Sequence, residues 1–295
     1  MRLGRFKMGD RVFAGIAKGD TVIDLEKTAT VMPEFQKFGA VFSKMRPLLS
    51  HLNDLAAMLE AAKGNYIGYP LGGLIVLPPL ADPDKIICIG LNYNDHAAES
   101  KMAVPEEPVF FCKFKSSIVG PREAIVIPPV SDQIDYEAEL AVIIGKPGKH
   151  IPEAEAMEHV AGYTAFNDVS ARDLQFRGGQ WIKGKALDTF APLGPYIVTK
   201  DEIPDPYQLK ISLSLNGKIM QDSSTDKLIF NIPRLIAFLS QLFTLETGDI
   251  IATGTPPGVG FARKPPVFLK HGDEVKVIIE QVGELINPVI NEKRV

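Results

Sequence analysis

Asp135-Tyr136-Glu137-Ala138-Glu139-Leu140-Ala141-Val142-Ile143-Ile144-Gly145 is the stretch on which the reading of this chain turns. Its second half is apolar and rich in β-branched residues, the composition of a strand. Strand side chains alternate faces, so Glu137 and Glu139 emerge on one side, roughly 6.5–7 Å apart along the backbone. Two carboxylates aimed the same way repel each other, and leaving either uncompensated beside an apolar run is costly. A divalent cation between them removes the conflict, and hard oxygen ligands suit Mg2+, Mn2+ or Ca2+. The plainer reading is a half-exposed strand with both acids on its wet face.

Working outward, short β-rich runs dominate the chain beyond residue 76: Ile86–Ile89, Val109–Cys112, Ala161–Phe166, Leu193–Val198, Ile250–Thr253 and Glu274–Glu280. Leu209, Ile211, Leu213 and Leu215 alternate with polar neighbours and end at Asn216-Gly217, a strong hairpin signal. Pro233 opens a helix carrying Leu235, Ile236, Leu239, Leu242 and Phe243. Upstream, Arg11–Ala17 and Thr21–Leu25 flank a Lys18-Gly19-Asp20 turn. Leu48, Leu52, Leu55 and Leu59 then predict an amphipathic helix over 46–63, stopped at Lys63-Gly64. The stretch 65–84 is rich in Gly and Pro and marks a boundary between a small N-terminal α+β domain, 1–75, and a larger domain, 76–295. Strands that follow one another with few intervening helices predict an α+β fold, mainly antiparallel β with some α, and not a doubly wound sheet.

Composition narrows the partners. The 295 residues are 45% hydrophobic and 23% charged, the balance of a soluble globular protein. A net charge of −4 gives no broad basic field, so neither nucleic acid nor a membrane surface is an expected partner. No apolar run reaches spanning length, and Met1–Phe6 lacks the apolar core of a secretory signal, so a cytoplasmic protein is expected. Cys88 and Cys112 sit in apolar runs and read as reduced, buried thiols.

Several further segments carry chemistry-bearing side chains. Gly162–Asp168 turns from apolar to Asn-Asp, placing Asp168 at a strand end, where it serves either as a third metal ligand or as a helix cap. In Gly90-Leu91-Asn92-Tyr93-Asn94-Asp95-His96-Ala97-Ala98-Glu99, His96 and Glu99 share one side of a helical turn. They form a proton-transfer pair or a solvated surface pair. Lys185 lies among small and apolar residues, positioned for a negative partner unless it snorkels to solvent. Thr253–Gly260 is not a phosphate loop, since no Gly-Lys-Ser/Thr follows. Its amides and the Thr255 hydroxyl could hold a carboxylate, and a plain turn is equally consistent.

Five motifs occur in one order: Gly-x-Asn-Tyr-x-x-His-x-x-Glu, Asp-Tyr-Glu-x-Glu-Leu, Asn-Asp-Val-Ser-Ala-Arg-Asp-Leu-Gln, Gly-Lys-x-x-Asp-x-Phe-x-Pro-Leu-Gly-Pro and Gly-Thr-Pro-x-Gly-Val-Gly. The series resembles the fumarylacetoacetate hydrolase family over residues 70–292. The resemblance implies a mixed β-sandwich or roll catalytic domain. It also implies Glu137, Glu139 and Asp168 as ligands of Mg2+, with Mn2+ or Ca2+ possible in its place. It makes His96 and Glu99 a water-activating dyad on a lid segment, and Lys185 the contact to a substrate oxo group. Arg172, Gln175, Thr255, Lys113 and Ser116 match pocket positions. Family members often have Pro after that lysine, where this chain has Phe114-Lys115. The specificity pocket is expected to include 100–108 and Phe176–Gln180.

The implied main reaction is hydrolysis of the C3–C4 bond of a 2,4-dioxo acid of acylpyruvate or fumarylpyruvate type, giving pyruvate and a carboxylic acid. The alternatives are oxaloacetate decarboxylation or tautomerisation, or isomerisation of an unsaturated 2-oxo diacid, through the same enolate. A homodimer is implied as well.

Overall fold

The structure, a computed structural model, describes residues 1–99 and 105–293, with the backbone alone at 96–98. The strand containing the deciding stretch, Ala138–Ile144, lies inside a large sheet, paired antiparallel with Val160–Asn167 on one side and Ile250–Ala252 on the other. The sheet continues outward through Ala191–Thr199 on the first side, and through Ile86–Gly90 and Val109–Lys113 on the second. A second sheet of five strands runs in the order Lys218–Ser224, Lys210–Leu215, Glu274–Ile279, Gly283–Asn291 and Ile125–Ile127. Antiparallel pairing dominates, as the succession of strands predicts. Parallel pairs occur where Ile250–Ala252 meets Ile86–Gly90 and where Gly283–Asn291 meets Ile125–Ile127.

The two sheets stack, and this explains the unbroken apolar run. Leu140, Val142 and Ile144 face a core shared with Leu213, Val275, Val277 and Leu285 of the second sheet. Ala141 and Ile143, on the other face, join a core with Ile86, Cys88 and the N-terminal helical residues Leu48, Leu55 and Met58. A strand covered on both faces reads as continuous rather than alternating hydrophobicity. No wet face remains for Glu139, which is 1% exposed.

Three local expectations are refined. The helix over 46–63 is two pieces, Met45–Leu49 and Leu52–Ala62, broken at Ser50 and His51 and closed by Lys63 in a left-handed conformation (φ 47°). Asn231, not Pro233, caps the later helix, Ile232–Leu242: its side chain accepts from the Arg234 amide at 2.9 Å, and Pro233 sits in the first turn, where a missing N–H costs nothing. The N-terminal segment shares the large sheet with the rest of the chain, because Arg2–Met8 pairs with Ala191–Thr199. Among the described residues no helix is long and apolar enough to cross a membrane.

Candidate active site

Strand register gathers the acids. Ala138 pairs with Asn167, so the next residue, Asp168, arrives beside Glu137, and its amide donates to the Glu137 carbonyl at 2.9 Å. Asn167 fixes the same corner by accepting from the Glu137 amide at 3.0 Å. One carboxylate oxygen from each of Glu137, Glu139 and Asp168 lies within 4.8 Å of the others, and all three side chains are buried.

Cations surround two of these acids but not the third. Lys185 Nζ bridges Glu137 Oε2 (2.7 Å) and Asp168 Oδ2 (2.9 Å). Lys113 Nζ reaches Asp168 Oδ1 at 2.7 Å, and Arg172 Nη2 reaches Glu137 Oε1 at 2.6 Å. Arg172 also pairs through Nε with Asp135 (2.8 Å) and through Nη1 with the Gln175 side chain (2.9 Å). Glu139 takes only the Gly254 amide, at 2.9 Å, among the described residues. Burial, then the neighbouring Asp168 and Glu137, push its carboxyl well above the usual carboxylate range. For Lys185, burial pulls the ammonium down, but Asp168 and Glu137 together outweigh it and the net shift is upward, so it stays charged.

The cluster thus holds four carboxylates, Asp135, Glu137, Glu139 and Asp168, against three cations, Lys113, Arg172 and Lys185. The deficit sits on Glu139, the position where an added positive ion would be stabilised most. An all-oxygen donor set with one uncompensated member fits a hard divalent cation.

Above this floor opens a narrow cleft with aromatic walls. Phe111 meets Trp181 edge-on at 5.8 Å, and Phe176 meets Phe261 at 5.7 Å. The Arg172 guanidinium lies 4.4 Å from the Phe261 ring centre. Gly90 is required by Trp181: a Cβ there would come within 2.6 Å of the indole. Gly90→Ala should therefore push the ring aside, shift the emission of this sole tryptophan and weaken ligand binding several-fold. Emission identical to that of the unaltered chain would show that the ring does not close on Gly90.

A bend from Thr253 to Phe261 wraps one side of the site. Gly254 donates to Glu139, Gly258 to both Glu99 oxygens (3.1 and 3.0 Å), and Gly260 and Phe261 to Asp135 (2.7 and 3.0 Å). Gly258 adopts φ 106°, and a Cβ there would meet the Met220 carbonyl at 2.1 Å, so no other residue fits.

The sequence-predicted residues fall into groups. Arg172, Gln175, Lys185 and Thr255 line the cleft with the three acids. Lys113 lies beneath it, its ammonium taken by Asp168 and by the carbonyls of Val169, Lys185 and Phe190, so it supports the floor and does not face a substrate. Ser116 is not brought into the cleft of this chain; it is exposed on the turn Lys115–Ser117 and lines a separate cavity with Phe114 and Asp188. Glu99 ends the helix Asn94–Glu99 and is held by the Gly258 amide. The His96 side chain and residues 100–104 of the expected lid lie outside the described residues. Sequence reasoning gave Asp135 no role. Its signal was an acid just before the strand, where four donors, counting its neighbour Tyr136 N at 2.8 Å, now converge on it.

A buried acidic triad that could hold a divalent cation, opening on a small aromatic-walled cleft, is the site expected of an enzyme of metal-assisted chemistry. The chain belongs to the fumarylacetoacetate hydrolase family: the model of the fumarylacetoacetate (FAA) hydrolase C-terminal domain matches residues 85–290. It is 55% identical over 222 residues to the mitochondrial oxaloacetate tautomerase Fahd2a of Rattus norvegicus, covering 75% of this chain and 71% of that one. Identity to the mitochondrial oxaloacetate tautomerase fahd2 of Xenopus laevis is 45% over 300 residues, covering 98% of this chain and 90% of that one. The maleylpyruvate hydrolase from Sphingobium sp. SYK-6, solved with manganese(II) and pyruvate, superposes with a TM-score of 0.81 at 33% identity, covering 99% and 100%. These relatives correct one expectation. Both tautomerases are named mitochondrial, which overturns the cytoplasmic assignment drawn from the N-terminus.

Proposed function

We propose that this chain is an oxaloacetate tautomerase, interconverting the keto and enol forms of a four-carbon 2-oxo diacid with Mg2+, or Mn2+ in its place, held by Glu137, Glu139 and Asp168. The observation that carries this reading is the 45% identity to an oxaloacetate tautomerase over 98% of the chain, with the acidic floor and Lys185 in place. Hydrolysis of an acylpyruvate, expected first from the motifs, therefore becomes the second reading. It is supported by the likeness to a maleylpyruvate hydrolase.

Glu137, Glu139 and Asp168 would hold the divalent ion, which would supply Lewis-acid polarisation to a bound 2-oxo acid. The remaining chemistry belongs to side chains. Tautomerisation moves one proton between C3 and the C2 oxygen, with no co-reactant and no bond broken between carbons. Lys185, charged and 2% exposed, stabilises negative charge that develops on the C2 oxygen. Gln175 and Thr255 bind substrate oxygens, and Arg172 holds Glu137 and Gln175 in place. Glu99, oriented by the Gly258 amide, works with His96 as the group that takes and returns the C3 proton, worth about 10²–10⁴ in rate.

A product-resolved assay tests the reading. Oxaloacetate with Mg2+ should lose enol absorbance at a rate set by enzyme concentration, with no matching release of pyruvate or CO2. Gas evolution would instead mean decarboxylation, and faster turnover of acetylpyruvate to acetate and pyruvate would make the hydrolase reading the right one. The same proposal includes a homodimer, so light scattering at micromolar concentration should give the mass of two chains; the mass of one would remove the dimer from it.

A further inference from the structure

We propose that Gln221, on a strand of the second sheet remote from every motif, is a positioning residue that aims the Thr255 hydroxyl hydrogen into the cleft. Its side chain is 1% exposed. Oε1 accepts from the Ala138 amide, between the two acids, at 2.9 Å. Nε2 donates to Thr255 Oγ1 and to the Pro256 carbonyl, both at 2.8 Å. An amide N–H can only donate and a carbonyl can only accept, so these two backbone groups permit one orientation of the side-chain amide. Thr255 Oγ1 must then receive a hydrogen bond, and its own hydrogen must point elsewhere.

Among the described residues nothing accepts that hydrogen, and Thr255 lines the cleft. The keto form of the ligand class inferred above, a 2-oxo acid, presents acceptor oxygens only, as pyruvate does. The strand itself is shaped for this contact. Leu213 pairs with Gln221 but Ser214 pairs with Ile219, so Met220 is an extra residue, a bulge. Met220 and Gln221 are consequently buried in succession, which a regular strand with one wet face does not allow. The bulge turns Gln221 toward the junction of the acidic strand and the Thr253–Phe261 bend.

The ligand class rests on the tautomerase reading, so the test uses binding. Pyruvate, seen with manganese in the Sphingobium relative, is titrated calorimetrically into the full chain loaded with Mn2+. Thr255→Val should weaken pyruvate about three- to ten-fold, the range of one neutral hydrogen bond, while Thr255→Ser should bind as the unaltered chain does. Gln221→Glu, assayed at pH 8, keeps the acceptor for Ala138 but draws the Thr255 hydrogen onto a carboxylate. It should weaken pyruvate by the same factor, measured at saturating Mn2+. The double variant Gln221→Glu with Thr255→Val should bind no more weakly than either single one, since both remove the same bond. Gln221→Met is the second probe, with thermal unfolding recorded alongside. Multiplying losses in the double variant, full pyruvate affinity in Gln221→Glu, or full affinity in Thr255→Val would each overturn the proposal. Lack of oxaloacetate turnover by the unaltered chain overturns the functional reading instead, and the titration still decides the role of Gln221.

Discussion

Glu139→Gln is expected to raise the melting temperature of the metal-free protein while removing metal binding and turnover. The two effects have opposite signs because Glu139 is the one acid in the cluster with no cation beside it. A glutamine keeps an oxygen for the Gly254 amide and turns a donor toward Glu137 and Asp168. It thereby removes a group whose charged form is opposed by burial and by Asp168 and Glu137, an opposition that the Gly254 amide and Lys185 offset only in part. Loss of a ligand should cost at least about 10²-fold in metal affinity, since even groups behind the ligands are worth about 10–100-fold. Scanning fluorimetry in chelator and calorimetric titration with Mn2+ measure the two halves. A metal-free melting temperature that falls would mean that Glu139 is compensated, and unchanged Mn2+ affinity would mean that it is not a ligand.

Lys185→Met should do the reverse to stability. It strips the bridging ammonium from Glu137 and Asp168, both buried, and breaking one side of such a network costs about 3–5 kcal/mol. Lys113 and Arg172 remain, which places the loss toward the lower figure. The melting temperature in chelator should drop by several degrees. Added Mn2+ should recover more stability in this variant than in the unaltered chain, because the ion supplies charge where the ammonium was. Turnover should stay low even when stability is recovered, since charge on the substrate oxygen is then unassisted. Turnover restored by metal alone would assign Lys185 a purely structural part.

What could be read from the sequence was what is local. Alternation placed Glu137 and Glu139 on one side, Asn216-Gly217 marked a hairpin that the structure shows, with Asn216 at φ 53° and Gly217 at φ 80°, and ordered motifs named the family. What could not be read depends on pairing between distant segments. Asp168 meets Glu137 only through a register set about thirty residues apart in sequence. Lys113 matched a pocket position of the family, yet three carbonyls accept its hydrogens and Asp168 pairs with its charge. Asp135 offered only its place just before the strand and Gln221 offered nothing local, for most of their partners, Arg172, Ala138, Thr255, Pro256, Gly260 and Phe261, lie more than 30 residues away in sequence. The split of the helix at Ser50–His51 and the joining of the N-terminal strands to the large sheet are likewise tertiary outcomes.

The bend from Thr253 to Phe261 donates to Glu139, Glu99 and Asp135 at once. The floor of the cavity, the end of the short helix Asn94–Glu99 and the anchor of Arg172 are therefore fastened to one loop. A substitution that displaces this loop should consequently disturb all three attachments together.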